Sequence, residues 1–531
     1  MGGAADVDVV VIGGGLAGTA VLRELAQRGA STVLVERVDL GAGGSIAAHG
    51  TIDTLDLGLE GPRDPAGASM RARREREAAI LLATAPHLVT RIPVLSISTG
   101  ARRGARLLAR WDALLALRAR AGQPIDREVL DAGAARAREA ALALDDERAA
   151  LLTTRVRFDA LRLALAFARD AKELGAELRL GEEVVSLTVE ASAVRLVLRA
   201  SRTRAQTELS ARAVVVATGA WPMPGASAKR PRERRVHLVL EHAITTHAIV
   251  TDELSVVPFH NATLVSGNAH AFEGGAEDTR ASREEVRALL ARASRHVPDL
   301  REARVNAAYA SVRRRADAAD AAAPPVYVLP SGTPWEVRAR AEGLGTQIAK
   351  ELGLEGASTT ATSRVPGGEE IVDSFVVAER LAIPEPTARR LVVRHGARFV
   401  DLGARVARRR TEAAVVCACD PVLEAEVRHA VRVEHARDVS DVGRRTCLGL
   451  GACGGMRCAH RAAELVCAER ALPPHEAHEM ARRFLAERWR ARAPALDATA
   501  LAQEELAHAR WTSAHAIAES DADAAESGDA E

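Results

Sequence analysis

Residues 7–36 read VDVVVIGGGLAGTAVLRELAQRGASTVLVE, and the fold follows from them. Val7, Val9, Val10, Val11 and Ile12 form a β-branched run of the kind found in a buried parallel strand. Gly13-Gly14-Gly15-Leu16-Ala17-Gly18 makes a glycine-rich turn, Ala20 to Gln27 keeps a helical pattern up to Gly29, and Ser31 to Val35 is a second apolar strand. The unit is βαβ, which places the chain in the α/β class. Gly13 permits the tight turn, Gly15 lets the backbone approach a pyrophosphate, and Gly18 lets the helix pack closely on the strand. The helix N-terminus then faces the phosphates. Glu36 ends the second strand 21 residues beyond Gly15, where a carboxylate can hold ribose hydroxyls. The plainer alternative is a glycine-rich turn in an unrelated α/β protein, but the strand–turn–helix–strand context is the one a dinucleotide needs.

Outward from this unit, the chain of 531 residues has room for roughly two to four domains. Hydrophobic residues at 47% and charged residues at 27% suit a globular protein with a sizeable core, but aromatics at 3% leave the packing to Ala, Leu and Val. Lys+Arg 72 against Asp+Glu 71 gives a net charge of +1, without the basic surplus of a nucleic-acid binder. No apolar run of about 18 residues offers a membrane span, and the N-terminus does not read as a signal peptide.

The stretch from about residue 70 to 175 is rich in Arg, Ala, Leu and Glu and reads as mostly helical. Val184 to Leu198 alternates like a strand, and Val214 to Val216 is a buried strand running into Ala217-Thr218-Gly219. From Arg235 to about Val328, short strands (Ala248 to Val250, Ala262 to Ser266) and a helix near Ser282 to Ala293 suggest a second, sheet-containing lobe. Val326 to Leu329 reads as a strand and Glu336 to Leu352 as a helix. The expected organisation is an oxidoreductase region over 1–353, a connecting segment over 354–414, a cysteine domain over 415–470, a helical segment over 471–518 and a disordered acidic tail over 519–531.

All six cysteines fall between Cys417 and Cys467. Cys417-Ala-Cys419, 33 intervening residues and Cys453-Gly-Gly-Met-Arg-Cys458 give C-x-C…C-x4-C. Iron–sulfur clusters take soft thiolates on short glycine-rich loops, here with Gly449, Gly451, Gly454 and Gly455, and the spacing favours a [2Fe-2S] cluster. Structural zinc more often takes C-x2-C pairs and is the weaker alternative, with cysteines of no special role the third. Cys467 lies on an apolar helical face, and Cys447 is a secondary candidate ligand near the loop.

With a fingerprint at the extreme N-terminus and an Ala217-Thr218-Gly219 strand end some 200 residues later, the chain resembles flavoproteins of the glutathione-reductase class, with a Rossmann-like domain that binds FAD. Over nearly its whole length it resembles the large subunit of anaerobic glycerol-3-phosphate dehydrogenases. The matching stretches include Val33-Leu34-Val35-Glu36-Arg37, Asp159 to Gly175, Arg394-His395-Gly396 and Arg444-Arg445-Thr446, with Gly449-Leu450-Gly451-Ala452-Cys453 and Phe484 to Trp489. The cysteine module is similar to the bacterioferritin-associated-ferredoxin type of [2Fe-2S] domain.

The resemblance implies oxidation of sn-glycerol 3-phosphate to dihydroxyacetone phosphate. A hydride would leave C2 for the flavin, and electrons would pass singly through the cluster to a second flavoprotein subunit, to a membrane-associated iron–sulfur subunit, then to a quinone. It implies a cytoplasmic protein held at the inner face of the membrane by its partners. The implied cofactor-binding set is Gly13, Gly14, Gly15, Gly18, Glu36, Arg37, Ser45, Val184, Thr218, Gly219 and Gly332; the cluster ligands are Cys417, Cys419, Cys453 and Cys458; the substrate-side residues are Arg313 and Arg338. Two cations of the family pattern are absent, for Leu57 and Thr333 stand where Arg and Lys are expected. Arg314 and Arg315 either compensate or form a solvated face. His49, His242 and His260 are candidate bases. Two other readings stand beside this one: the same design acting on an amino acid, opine or polyol, and a silent electron-transfer component.

Overall fold

The computed structural model describes residues 5–47, 49–52, 65–97, 127–145, 148–224, 231–315 and 324–514. The Leu57 stretch and the acidic tail lie outside the described residues. Val7–Ile12 sits at the centre of a seven-stranded sheet, parallel to Thr32–Glu36 on one side and to Gln206–Val216 on the other. Val9, Val10 and Val11 are fully enclosed, as an apolar run without alternation requires. Glu177–Leu180 and Val326–Val328 extend the parallel part. The antiparallel strands Glu182–Val189, Val194–Ala200 and Gln206–Val216 form a meander beside it. The alternating stretch after Val184 is thus two strands of a hairpin.

A ten-stranded sheet makes the second lobe. Its strand Arg232–Leu240 runs between Val305–Arg314 and Ala262–Gly267, both antiparallel to it. The expectation of a mostly helical region from 70 to 175 is corrected here, because Val89–Ile97, Arg127–Asp131 and Ala149–Asp159 are strands of this sheet. Ala, Leu and Arg favour helix only weakly, and pairing with neighbouring strands outweighs that preference. Among the described residues, Pro65–Thr84 and Ala160–Glu173 are the long helices of the region.

Beyond Leu352 the described residues are mostly helical. Ser374–Leu381, Glu385–His395 and Phe399–Arg408 share one apolar core, which also takes in Leu423 and Ala425. A hairpin of Val415–Cys417 and Val422–Leu423 leads into Glu424–Arg432, Val439–Thr446, Ala459–Arg470 and His475–Arg492, whose core includes Cys417, Cys458 and Phe484. This region is keyed to the first lobe by buried charge. The Arg445 guanidinium donates to both carboxylate oxygens of Asp39 at 2.7 and 2.8 Å, with neither side chain exposed. Arg162 pairs with Glu434 at 2.8 Å.

Candidate functional site

The turn after the first strand is shaped by contacts no side chain could share. Gly13 has φ +109°, and a Cβ there would lie 2.6 Å from the carbonyl oxygen of Ala217. A Cβ on Gly18 would lie 1.8 Å from the Gly13 carbonyl oxygen, so the helix Leu16–Gln27 sits directly against the turn. Glu36 Oε2 accepts from the Gly14 N–H at 2.7 Å and Oε1 from the Val38 N–H at 2.8 Å. Burial raises its pKa despite these bonds. Ser45 Oγ accepts from the Leu16 N–H at 2.9 Å, closing the loop of residues 41–45 over the helix N-terminus.

These residues border a cavity of about 1070 Å³ that continues to the face of the second sheet. Of the expected cofactor set, Gly13, Gly15, Glu36, Arg37, Ser45, Val184, Thr218, Gly219 and Gly332 line it. Gly14 and Gly18 lie behind that surface and shape it. The Arg37 guanidinium stands 4.5 Å over the Trp221 ring, and Thr218 Oγ1 donates to the Trp221 carbonyl at 2.9 Å. Opposite the turn, the N-terminus of the helix Pro334–Leu352 meets the cavity, with the Thr333 N–H donating to Glu336 at 3.1 Å. Thr333 Oγ1 and Trp335 Nε1 are buried without a hydrogen-bond partner among the described residues. Each such orphan costs about 1–3 kcal/mol, so the enclosure suits a polar, elongated occupant. The cradle fits a dinucleotide on these grounds.

The substrate-side expectations divide. Arg313 lines the cavity, paired with Glu233 at 2.9 Å. Arg338 does not: it is 4% exposed, and Glu77, Glu342 and Thr360 take its guanidinium. Val337 and Thr333 do border the cavity. His242 is exposed beside Glu241, and His260 packs near Asp159 away from the cavity wall. The side chain of His49 lies outside the described residues.

Sequence reasoning missed His237 and Arg235, both on Arg232–Leu240 and both on the cavity wall. His237 stacks on Tyr309 at 5.0 Å, and its ring nitrogens lie 2.8 Å from Ser266 Oγ and from Ser311 Oγ. Burial, aided by Arg235, lowers its pKa to about 3, so the ring is neutral near pH 7. The available signal was the alternation of Glu233, Arg235 and His237 with apolar Val236, Leu238 and Leu240.

Four of the six cysteines lie in two sulfur pairs. Cys417 sits at the end of its hairpin strand, and Cys419 lies in the turn after it. Cys419 Sγ lies 3.9 Å from Cys453 Sγ. A bond from the Cys458 thiol, with backbone N–H groups of Asp420, Gly449 and Cys419, lowers the Cys417 pKa to about 6, while bonding to Cys417 and burial raise that of Cys458. A Cβ on Gly451 would come 2.2 Å from the Cys419 Cβ, so the loop closes on the sulfurs only as glycine. Cys447 stands apart, capping Val439–Thr446 with φ 62° and held protonated by burial, with its pKa pushed up to about 11. Cys467 lies in the apolar core of the region. The two sulfur pairs, Cys417 with Cys458 and Cys419 with Cys453, are soft donors of the kind a thiolate-bound metal centre takes.

A nucleotide cradle on a parallel sheet with a meander, joined by one cavity to a polar face of a second sheet, defines a two-lobed flavoprotein oxidoreductase. The chain belongs to the FAD dependent oxidoreductase family, whose profile matches residues 8–330. A second profile, the C-terminal domain of alpha-glycerophosphate oxidase, matches residues 358–476. One subunit of the anaerobic glycerol-3-phosphate dehydrogenase of Escherichia coli (strain K12) is 28% identical over 542 residues, covering 95% of each chain. Glycerol-3-phosphate dehydrogenase 1 of Mycobacterium bovis is 32% identical over 264 residues, 44% of this chain and 46% of that one. The solved glycerol-3-phosphate dehydrogenase of Bacillus halodurans, complexed with FAD, superposes with a TM-score of 0.73 at 19% identity, covering 92% of this chain and 96% of that one. Among the described residues no helix is long and apolar enough to cross a membrane.

Proposed function

We propose that the chain oxidises sn-glycerol 3-phosphate to dihydroxyacetone phosphate and passes the electrons through a [2Fe-2S] centre to partner subunits and a quinone. The observation that carries the first half is the single cavity joining the Gly13–Gly18 turn to the face bearing Arg313 and His237. Its full-length likeness to one subunit of an anaerobic glycerol-3-phosphate dehydrogenase supports the substrate and the presence of partners. Bound FAD supplies a two-electron acceptor, and a [2Fe-2S] centre supplies one-electron transfer.

The residues provide the rest. Gly13, Gly14, Gly15, Gly18 and Ser45 form the pyrophosphate cradle, Glu36 holds ribose hydroxyls, and Arg37, Val184, Thr218, Gly219 and Gly332 complete the walls. Arg313 provides positive charge toward a phosphate. His237, neutral between two serine hydroxyls, orients a substrate hydroxyl and offers a short path for its proton through Ser311 or Ser266. Cys417, Cys419, Cys453 and Cys458 hold the metal centre, within a C-terminal region that would dock the protein on membrane-bound partners.

Anaerobic titration of the purified holoprotein with glycerol 3-phosphate tests the proposal. The expected result is bleaching of the flavin band followed by partial loss of the cluster shoulder. An unchanged spectrum with both chromophores present would refute it.

A further inference from the structure

The strands Arg232–Leu240 and Val305–Arg314 face the cavity in register, with His237 opposite Tyr309, Arg235 opposite Ser311 and Glu233 opposite Arg313. Glu233, Arg235 and His237 point to the cavity, as residues two apart on a strand must. Arg234 points the other way and is bound to Glu285 and the Arg280 carbonyl. The three arginines therefore differ sharply. Arg234 has a carboxylate, and Arg313 has one in Glu233, with both Nε and Nη2 at 2.9 Å. The Arg235 guanidinium has none: among the described residues no side-chain hydrogen bond or ion pair joins it to another, and its backbone alone is held in the ladder opposite Ser311. It is largely enclosed nevertheless, and burial followed by the nearby Arg313 charge lowers its pKa against the smaller opposing effect of Glu233, which is itself bonded to Arg313. Glu233, Arg235 and Arg313 together leave one uncompensated positive charge on the cavity wall.

A desolvated cation beside a second cation destabilises the empty protein, and such a group is retained where an anion completes it. Its surroundings also narrow that anion. The guanidinium fork matches a phosphate or carboxylate, while Ser311, Ser266 and neutral His237 sit beside it as hydroxyl partners. The position is on the second sheet, across the cavity from the glycine turn.

We propose that Arg235 is the anion anchor of the substrate pocket, receiving the phosphate of a small polyol phosphate with Arg313 at its flank. The proposal rests on the glycerol 3-phosphate reading above and deepens it, by supplying a cation in a pocket where Thr333 replaces the lysine of the family pattern.

The test uses the full-length holoprotein and its Arg235→Gln and Arg235→Lys variants. In the absence of ligand Arg235→Gln should melt no lower than the parent, because it removes repulsion and breaks no bond. Inorganic phosphate should raise the melting temperature of the parent and not of Arg235→Gln. In anaerobic flavin reduction, Arg235→Gln should raise the half-saturating glycerol 3-phosphate roughly ten- to hundredfold, the loss of one charge-assisted contact. Arg235→Lys should recover part of that, and flavin content should be unchanged in both. Unaltered half-saturation in Arg235→Gln overturns the proposal. Loss of FAD with substrate affinity intact also overturns it, by assigning Arg235 to the cofactor. If glycerol 3-phosphate fails to reduce the parent flavin while phosphate still stabilises it through Arg235, the anion site stands and the substrate reading falls.

Discussion

A methyl group on Gly18 would occupy the space of the Gly13 carbonyl oxygen, so Gly18→Ala must push the helix Leu16–Gln27 off the turn. The expected cost is about 1–3 kcal/mol, with loss of bound flavin. Flavin content per chain and a urea unfolding curve check both; a variant that keeps its flavin stoichiometrically contradicts the role given to this contact. Arg338 is the converse case, a residue whose importance is structural. Arg338→Met leaves Glu77 buried and unpaired, and the expected destabilisation is about 3–5 kcal/mol. Its kcat/KM, measured on the folded fraction, should stay near the parent value. A large rise in KM at normal stability would return Arg338 to the substrate pocket. Glycine spacing was legible because it repeats a local backbone demand. The assignment of Arg313 and Arg338 was not, since both read as arginines near the ends of apolar elements and only their partners separate them.

At the scale of elements, the cysteine hairpin and the glycine loop after Val439–Thr446 bring two distant pairs of sulfurs together. Serine at Cys417, Cys419, Cys453 or Cys458 should each abolish bound iron and labile sulfide, whereas Cys447→Ser and Cys467→Ser should retain both. Iron retained at full stoichiometry in Cys419→Ser would exclude this ligand set. The strand Arg232–Leu240 shows the opposite legibility. Its alternation is plain once the strand is known, yet in sequence the arginine cluster resembles a solvated turn. The strands hidden between residues 89 and 159 were likewise masked by helix-favouring composition, and pairing in the ten-stranded sheet decided them.

The whole molecule is held across its lobes by buried charges and neutral histidines, and these set its response to acid. His237, His87 and His429 are lowered to about 3 and His260 to about 4, chiefly by burial. Unfolded histidine titrates near about 6.5, so below that pH the unfolded chain binds protons that the native chain refuses. Stability is therefore full above about pH 6.5 and falls as pH drops toward 4, by up to about 1.4 kcal/mol per pH unit for each group. Asp39 and Glu426, lowered to about 2 by Arg445 and Arg394 against the effect of burial, add a further loss below about pH 4. Asp441, raised to about 6 by burial and Asp39, works in the opposite sense over a narrower range. Urea midpoints at pH 7.5, 6.5 and 5.5 should thus fall most over the last step. A midpoint unchanged between pH 6.5 and 5.5 would show that these histidines charge freely in the folded protein.

The nucleotide-binding half was determined by the sequence alone, because the glycine turn, the flanking apolar strands and the terminal carboxylate act within some thirty consecutive residues. What only the tertiary structure decided is the other side of the cavity. Whether an arginine is paired, which face of a strand meets a pocket and which histidine loses its charge all depend on groups brought together across the chain. Asp39 with Arg445, Arg338 with Glu77 and Arg235 opposite Ser311 are separated by long stretches of sequence, and only the buried setting that the fold creates makes pairing, or its lack, consequential for a charge.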